Sequence, residues 1–146
     1  MAVKTRPTTI LLKRASGAIT HEEGRAASTI TPGMLVVQNS SGSLIPHNVA
    51  NGRVSAQFAL EDALQGKTIA DNYASGDLVF TAIGRSGDVF FAWLKAGQSC
   101  NPGTMLASNG DGTLRAVSAG TDFEVCEALE TIGVTGADAR VRVRVK

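Results

Sequence analysis

The strongest constraint on this chain of 146 residues is that part of it is written twice. Pro32-Gly33 recurs 70 residues on as Pro102-Gly103, Asn39 as Asn109, and Gly42-Ser43-Leu44 as Gly112-Thr113-Leu114, all without a gap. Matched apolar residues fill the slots between, Leu35 and Val36 against Met105 and Leu106. Farther along, Ala59-Leu60-Glu61 returns as Ala128-Leu129-Glu130, now 69 residues on. Each copy reads as a Pro-Gly turn, a short strand, a glycine-containing hairpin, a second short strand and then a longer one. Chance reuse of turn chemistry is the alternative. The unbroken register favours a duplicated β unit.

The remaining pattern is β as well. Val54, Ala56, Phe58 and Leu60 alternate with Ser55, Gln57, Ala59 and Glu61, the period of a half-buried strand. Asp77 to Ile83 and Val89 to Leu94 are near-continuous apolar runs joined by Gly84-Arg85-Ser86-Gly87, which predicts a hairpin buried on both faces. From Ala139 to Lys146 arginine alternates with valine, so Val141, Val143 and Val145 share one face. Residues 62–73 hold one plausible helical turn, interrupted by Gly66. Roughly nine or ten short strands at close spacing predict an all-β fold, a compact barrel or sandwich.

Apolar residues at 43% and charged residues at 18% exclude a disordered chain. The longest apolar run, Val89 to Leu94, is far too short for a membrane-spanning helix, and residues 1–12 contain no secretory core, so a soluble protein without an export signal is expected. Cys100 and Cys126 have neither CxxC nor zinc-ligand spacing and are expected as buried free thiols, with a disulfide or a reactive thiol as alternatives.

Net charge is +1 but uneven. Residues 1–29 carry five Lys/Arg and two Glu; residues 139–146 carry Arg140, Arg142, Arg144 and Lys146; residues 30–138 carry five Lys/Arg against eleven Asp/Glu. Such asymmetry points to charge-guided contact with a partner or with copies of the chain, a plain solvated surface being the alternative. Residues 1–29 also lack a hydrophobic period after Arg14. We read them as an extended N-terminal arm preceding a domain at 30–146; the alternative is a first barrel strand with a long loop.

Catalytic and metal chemistry find little support. His21 and His47 have no partner at metal-ligand spacing and are expected at the surface. Gly66-Lys67-Thr68 lacks the glycine of a phosphate loop, Glu61 standing in its place. Glu22-Glu23 and Glu61-Asp62 are adjacent in sequence and would point to opposite faces of a strand. Asn109-Gly110-Asp111-Gly112 lacks the oxygen series of a calcium loop and reads as a hairpin turn. No enzyme, cofactor or metal is expected. The Arg/Val tail is the best nucleic-acid candidate, yet no aromatic platform accompanies it, and a charge-guarded edge explains it equally.

The stretches Tyr73-Ala74-Ser75-Gly76-Asp77-Leu78-Val79, Gly87-Asp88-Val89, Ala96-Gly97, Pro102-Gly103 and Gly110-Asp111-Gly112-Thr113-Leu114 together carry a likeness, as does Glu127-Ala128-Leu129-Glu130 before a basic valine strand. Over roughly residues 30–146 the chain resembles head decoration (cement) proteins of tailed bacteriophages. The resemblance implies a small β-tulip or barrel-like domain on the outer surface of the expanded capsid, made in the host cytoplasm and clamping neighbouring major capsid subunits. It implies a homotrimer, or a dimer at two-fold sites, and an N-terminal arm that pairs with a strand of the shell. The expected arm contacts are Lys4, Arg6, Ile10, Leu11, Leu12 and Lys13; Arg140, Arg142 and Arg144 are expected at a subunit–subunit or subunit–shell contact. No membrane and no specific nucleic acid is expected as a partner. A phage tail component or a host-surface or carbohydrate-binding β module is the competing class, poorly served by one Trp and one Tyr. A small hydrolase would need a histidine-based site that the sequence does not offer.

Overall fold

Pro32-Gly33 and Pro102-Gly103 each turn the chain into a hairpin, and the two hairpins are built alike. The computed structural model describes residues 6–15, 17–118, 120–134 and 136–146, so Lys4 lies outside the described residues. Its strands begin with β1 (Leu11–Lys13), β2 (Thr20–Arg25), β3 (Val36–Gln38), β4 (Leu44–Pro46), β5 (Gln57–Ala59) and β6 (Leu78–Ile83). They continue with β7 (Val89–Leu94), β8 (Met105–Ser108), β9 (Leu114–Ala116), β10 (Cys126–Ala128) and β11 (Ala139–Val145). The expected helical turn is a single 3₁₀ turn at Ala63–Gln65, capped by the Asp62 side chain and ended by Gly66 in the left-handed region.

The duplication extends well past the motifs that announce it. In β3–β4, Val36 faces Pro46 and Gln38 faces Leu44; in β8–β9, Leu106 faces Ala116 and Ser108 faces Leu114. Leu35 bridges Phe58 as Met105 pairs with Glu127. The Gly33 amide donates to the Ala59 carbonyl at 2.8 Å, and the Gly103 amide to the Ala128 carbonyl at 2.9 Å. β5 then pairs with β6 as β10 pairs with β11, and β6 with β2 as β11 with β7. A parallel contact closes each circuit, Ala26 with Leu44 and Leu94 with Leu114. The second circuit, β7-β11-β10-β8-β9, is a closed five-stranded barrel with β1 added at the edge of β7. The first, β2-β6-β5-β3-β4, repeats its topology with looser pairing.

Side chains obey the same correspondence. One cluster of buried residues is Ala26, Ile30, Val36, Leu44, Ala59, Tyr73 and Val79. Their counterparts are Leu94, Cys100, Leu106, Leu114, Ala128, Ile132 and Val141, all within or packed against the larger core. The halves differ at one end. Gln57 Nε2 donates to Thr81 Oγ1 at 2.9 Å, and that hydroxyl donates to the Glu22 carbonyl at 2.9 Å. At the matching positions Cys126, Val143 and Phe90 are fully buried and apolar.

Three expectations change here. β6 and β7 do not form a hairpin: β6 pairs with β2 and β5, while β7 pairs with β1, β9 and β11. Residues 84–88 instead carry the chain from one barrel to the other. A Cβ at Gly84 would lie 2.6 Å from the side chains of both Phe90 and Val145, so only glycine lets the barrels meet there. The outer face of β5 is not solvated either, because Phe58 enters the larger core while Ala59 enters the smaller. Finally, the described part of residues 1–29 is drawn into both barrels: Ile10 is fully buried, β1 pairs with β7 and β2 with β6. The first-strand alternative describes these residues better than a free arm does.

Gly33 and Gly103 occupy matching turns with φ of 95° and 91°, yet a Cβ at Gly33 would sit 2.8 Å from the Phe91 carbonyl oxygen while one at Gly103 meets nothing within 4 Å. Both alanine variants therefore incur about 1 kcal/mol of backbone strain. Gly33→Ala is expected to lose about 1–3 kcal/mol beyond that through overpacking against β7, read as the difference between the two denaturation midpoints.

Candidate functional site

The alternating tail places its valines inward, as the sequence predicts. Val141 and Val143 are fully buried and Val145 nearly so, which turns the arginines to the outer face. There each meets a partner within the chain. Glu130 grips Arg142 twice, taking its backbone amide at 3.0 Å and its guanidinium at 2.9 Å. Arg144 stands opposite Glu127 in the β10–β11 ladder and binds its carboxylate at 3.1 Å. Lys146 lies 4.0 Å from Glu124. Arg142, Arg144 and Lys146 thus each meet a carboxylate of the same chain, contacts worth little singly in exposed positions.

Arg140 is held more deeply. Its guanidinium stacks 4.3 Å from the Trp93 ring centroid and donates to the carbonyls of Pro32, at 3.1 Å, and of Ile69. Trp93 Nε1 donates to the same Pro32 carbonyl at 2.9 Å. Burial lowers the pKa of this guanidinium from its ordinary value, with Glu61 opposing the shift and Arg6 adding to it. The Arg140–Trp93 stack separates two open clefts. One, of about 500 Å³, lies beside Thr31, Met34, Ile69 and Thr113. The other, of about 400 Å³, lies beside Arg6, Pro7, Phe91 and Asp138. Trp93 is half-buried rather than enclosed, and Arg140 lies over its ring.

The N-terminal candidates divide. Arg6 and Lys13 are exposed, and Leu11 and Leu12 are half-buried. Ile10 is an anchor: its side chain is in the larger core, and its amide donates to Glu61 at 3.1 Å. Thr9 Oγ1 donates to the other oxygen of that carboxylate. The structure therefore gathers Arg6, Arg140 and the start of β1 on one side of β7, and leaves Arg142 and Arg144 paired along β11.

His21 is exposed, as expected, but His47 is not: it is 3% exposed, and its Nδ1 lies 2.6 Å from Ser108 Oγ. The partner is 61 residues away, which sequence spacing could not reveal. The Gly110 amide donates to the same Oγ at 3.1 Å, so the serine proton is free to donate to His47 Nδ1. Because Ser108 is fully buried, this pair ties the two repeat hairpins together and presents no nucleophile to solvent. Cys100 and Cys126 are buried free thiols; burial raises both pKa values, against thiolate formation. Among the described residues, no three His, Cys, Asp or Glu side chains gather where they could hold a metal ion.

Burial lowers the His47 pKa below the ordinary 6.5, with a hydrogen bond to the Arg53 backbone opposing it. The unfolded chain then binds the proton first, so stability present above the unfolded pKa is lost as pH falls through it. Denaturation midpoints are expected to drop from pH 7 to pH 5, and His47→Gln to flatten that drop. Arg140→Lys keeps the charge but loses the planar stack and one hydrogen bond. It is expected to cost about 1–2 kcal/mol and to shift the emission of Trp93, the sole tryptophan.

With this geometry in hand, comparison with known proteins gives a likeness of fold. The chain is similar to the N base of the head fiber gp8.5 of bacteriophage phi29, with a TM-score of 0.57 and 16% sequence identity. The match covers 88% of this chain and 95% of that one. No protein-family model and no curated protein matches the chain. Nearly the whole duplicated architecture, rather than one of its halves, is therefore shared with the base of a phage head fiber.

Proposed function

We propose that this protein is a structural component of a bacteriophage head, without enzymatic activity, that sits on the outer surface of the expanded capsid and clamps neighbouring major capsid subunits. The observation that carries the reading is the shared fold with a head fiber base over almost the full length of both chains. The site supports it by what it offers. Exposed charged groups such as Arg6, Lys13 and Arg14 are available for contact, and the buried His47, Cys100 and Cys126 point inward. Binding of this kind works through many weak, repeated contacts, each copy on the shell adding to the retention of its neighbours.

Within that reading the shell contact falls to the groups that remain free to reach a partner. Exposed Arg6 leads, Lys4 lying outside the described residues; Leu11 and Leu12 are packed against the larger core, and Lys13 stands on the strand they belong to. Ile10 fixes the base of that segment. Arg140 and Arg142 act by holding their surroundings in place, and Arg144 is accessible at the rim.

Co-sedimentation with shells tests the proposal. The full chain is expected to bind expanded, decoration-free capsids saturably, at a fixed ratio to the capsid subunits, and to leave unexpanded shells bare. Arg6→Glu, at an exposed position outside β1, is expected to weaken binding several-fold while leaving the unfolding midpoint unchanged. Absence of binding to either shell, or equal binding to both, overturns the reading.

A further inference from the structure

The duplication gives every strand of one barrel a counterpart in the other and leaves β1 over. β1 lies on the outer edge of β7, with Leu11 opposite Phe90 and Lys13 opposite Val89, the register shifting by one residue at a bulge between them, and the Phe91 amide donates to the Ile10 carbonyl at 2.8 Å. β2 is the counterpart of β7. It pairs with β6 from Thr20 to Arg25; on its other edge β4 approaches only beyond the strand's end, where Ala26 bridges Leu44, and among the described residues no strand pairs with Thr20 to Arg25 there. The contrast is written in the side chains: Val89, Phe90 and Phe91 are buried, whereas His21, Glu22 and Glu23 at the matching positions are exposed. The backbone agrees. The Ala26 amide donates to the Asp77 carbonyl, toward β6. By strand alternation the amides of Glu23 and Arg25 turn to the open side, as their counterpart Phe91 turns to Ile10.

Open edges are commonly guarded by charge, lysine above all. At the centre of β2 the guard is Glu22 and Glu23, with no Pro, Lys or bulge to break the six-residue ladder. An acidic guard repels an acidic strand and favours a basic one. The chain carries such a strand. β1 and the residue after it supply exposed Lys13 and Arg14, its Leu11 and Leu12 are half-buried, and among the described residues it pairs only with β7.

We propose that the open edge of β2 is a self-assembly site that receives the outward edge of β1 from a second copy of this chain. The sheet then runs from β7 through β1 into the β2 of the neighbour, and no pairing within either copy is lost. The contact is head-to-tail, so it closes into a ring when the rotation between copies permits. It deepens the capsid reading, on which it rests for its setting, by naming the surface through which decorating copies hold one another.

The test is sedimentation of the full chain in solution, without shells, over a range of concentrations. The native chain is expected to self-associate reversibly. Glu22→Lys with Glu23→Lys, and separately Lys13→Glu with Arg14→Glu, are each expected to weaken association about tenfold or more. The chain carrying all four reversals is expected to regain it. Should charge reversal disturb folding, Glu23→Pro removes only an outward amide of the edge and is expected to dissociate the assembly as well. A native chain that stays monomeric throughout overturns the proposal, as do one-sided reversals without effect or a fourfold reversal that restores nothing. Association that follows the charge swap in a chain that binds no shell would sustain the edge and remove the capsid reading. Shell binding by a chain that never self-associates would do the opposite.

Discussion

The fold depends on one strand that buries both of its faces. β5 is three residues long, yet Phe58 goes into the larger core and Ala59 into the smaller, while Gln57 is held by Thr81. The Phe58 ring lies 4.7 Å from the Phe90 ring, tilted by 34°, in reach of the favourable offset arrangement of aromatic pairs. Leu35, Ala56 and Ala82 enter the larger core with it, all of them from the first barrel. The first barrel thus supplies a wall to the second. Its own core is small and gives way to hydrogen bonds at the Glu22 end, so much of its apolar burial is won at the junction.

How much of this could be read from the sequence follows from which residues are interchangeable. Turns announce themselves, because Pro-Gly and Asn-to-Gly spacings serve a backbone geometry that few other residues satisfy, and these gave away β3–β4 and β8–β9. The closing strands were illegible as copies. β2 and β7 occupy one structural position, but Glu22 and Phe90 share no chemistry, since one barrel end is hydrated and the other is packed. The supposed hairpin at residues 77–94 failed for a related reason. A glycine-rich link between two apolar runs looks the same whether the runs pair or part, and only the pairing of β6 with β2 and β5, and of β7 with β1, β9 and β11, shows that they part.

The candidate site was legible in composition and illegible in pairing. That Arg140, Arg142 and Arg144 share a face follows from strand alternation alone. That Glu130 and Glu127 meet two of them, and Trp93 and Pro32 the third, depends on the pairing of β11 with β10 on one side and with β7 on the other, and on the approach of Pro32 from the first barrel. The charge excess at the C-terminal strand is consequently a poor guide to surface potential here. Charge left free of these pairs includes Arg6, Lys13 and Arg14 near the start of the chain and Glu22 and Glu23 on β2.

The glycine at the crossing has a consequence for how such a protein can have arisen and where it can go. Two copies of one unit ordinarily remain separable, each able to fold or be lost without the other. Here Gly84, Phe58 and Phe90 meet where the copies join, and Leu35 and Ala82 lie in the core of the opposite copy. Each half has specialised toward the other, one contributing a wall and the other a packed interior. Removing either half would strip apolar cover from the core of the other, so the tandem packs as one unit, its symmetry kept in the backbone and surrendered in the side chains.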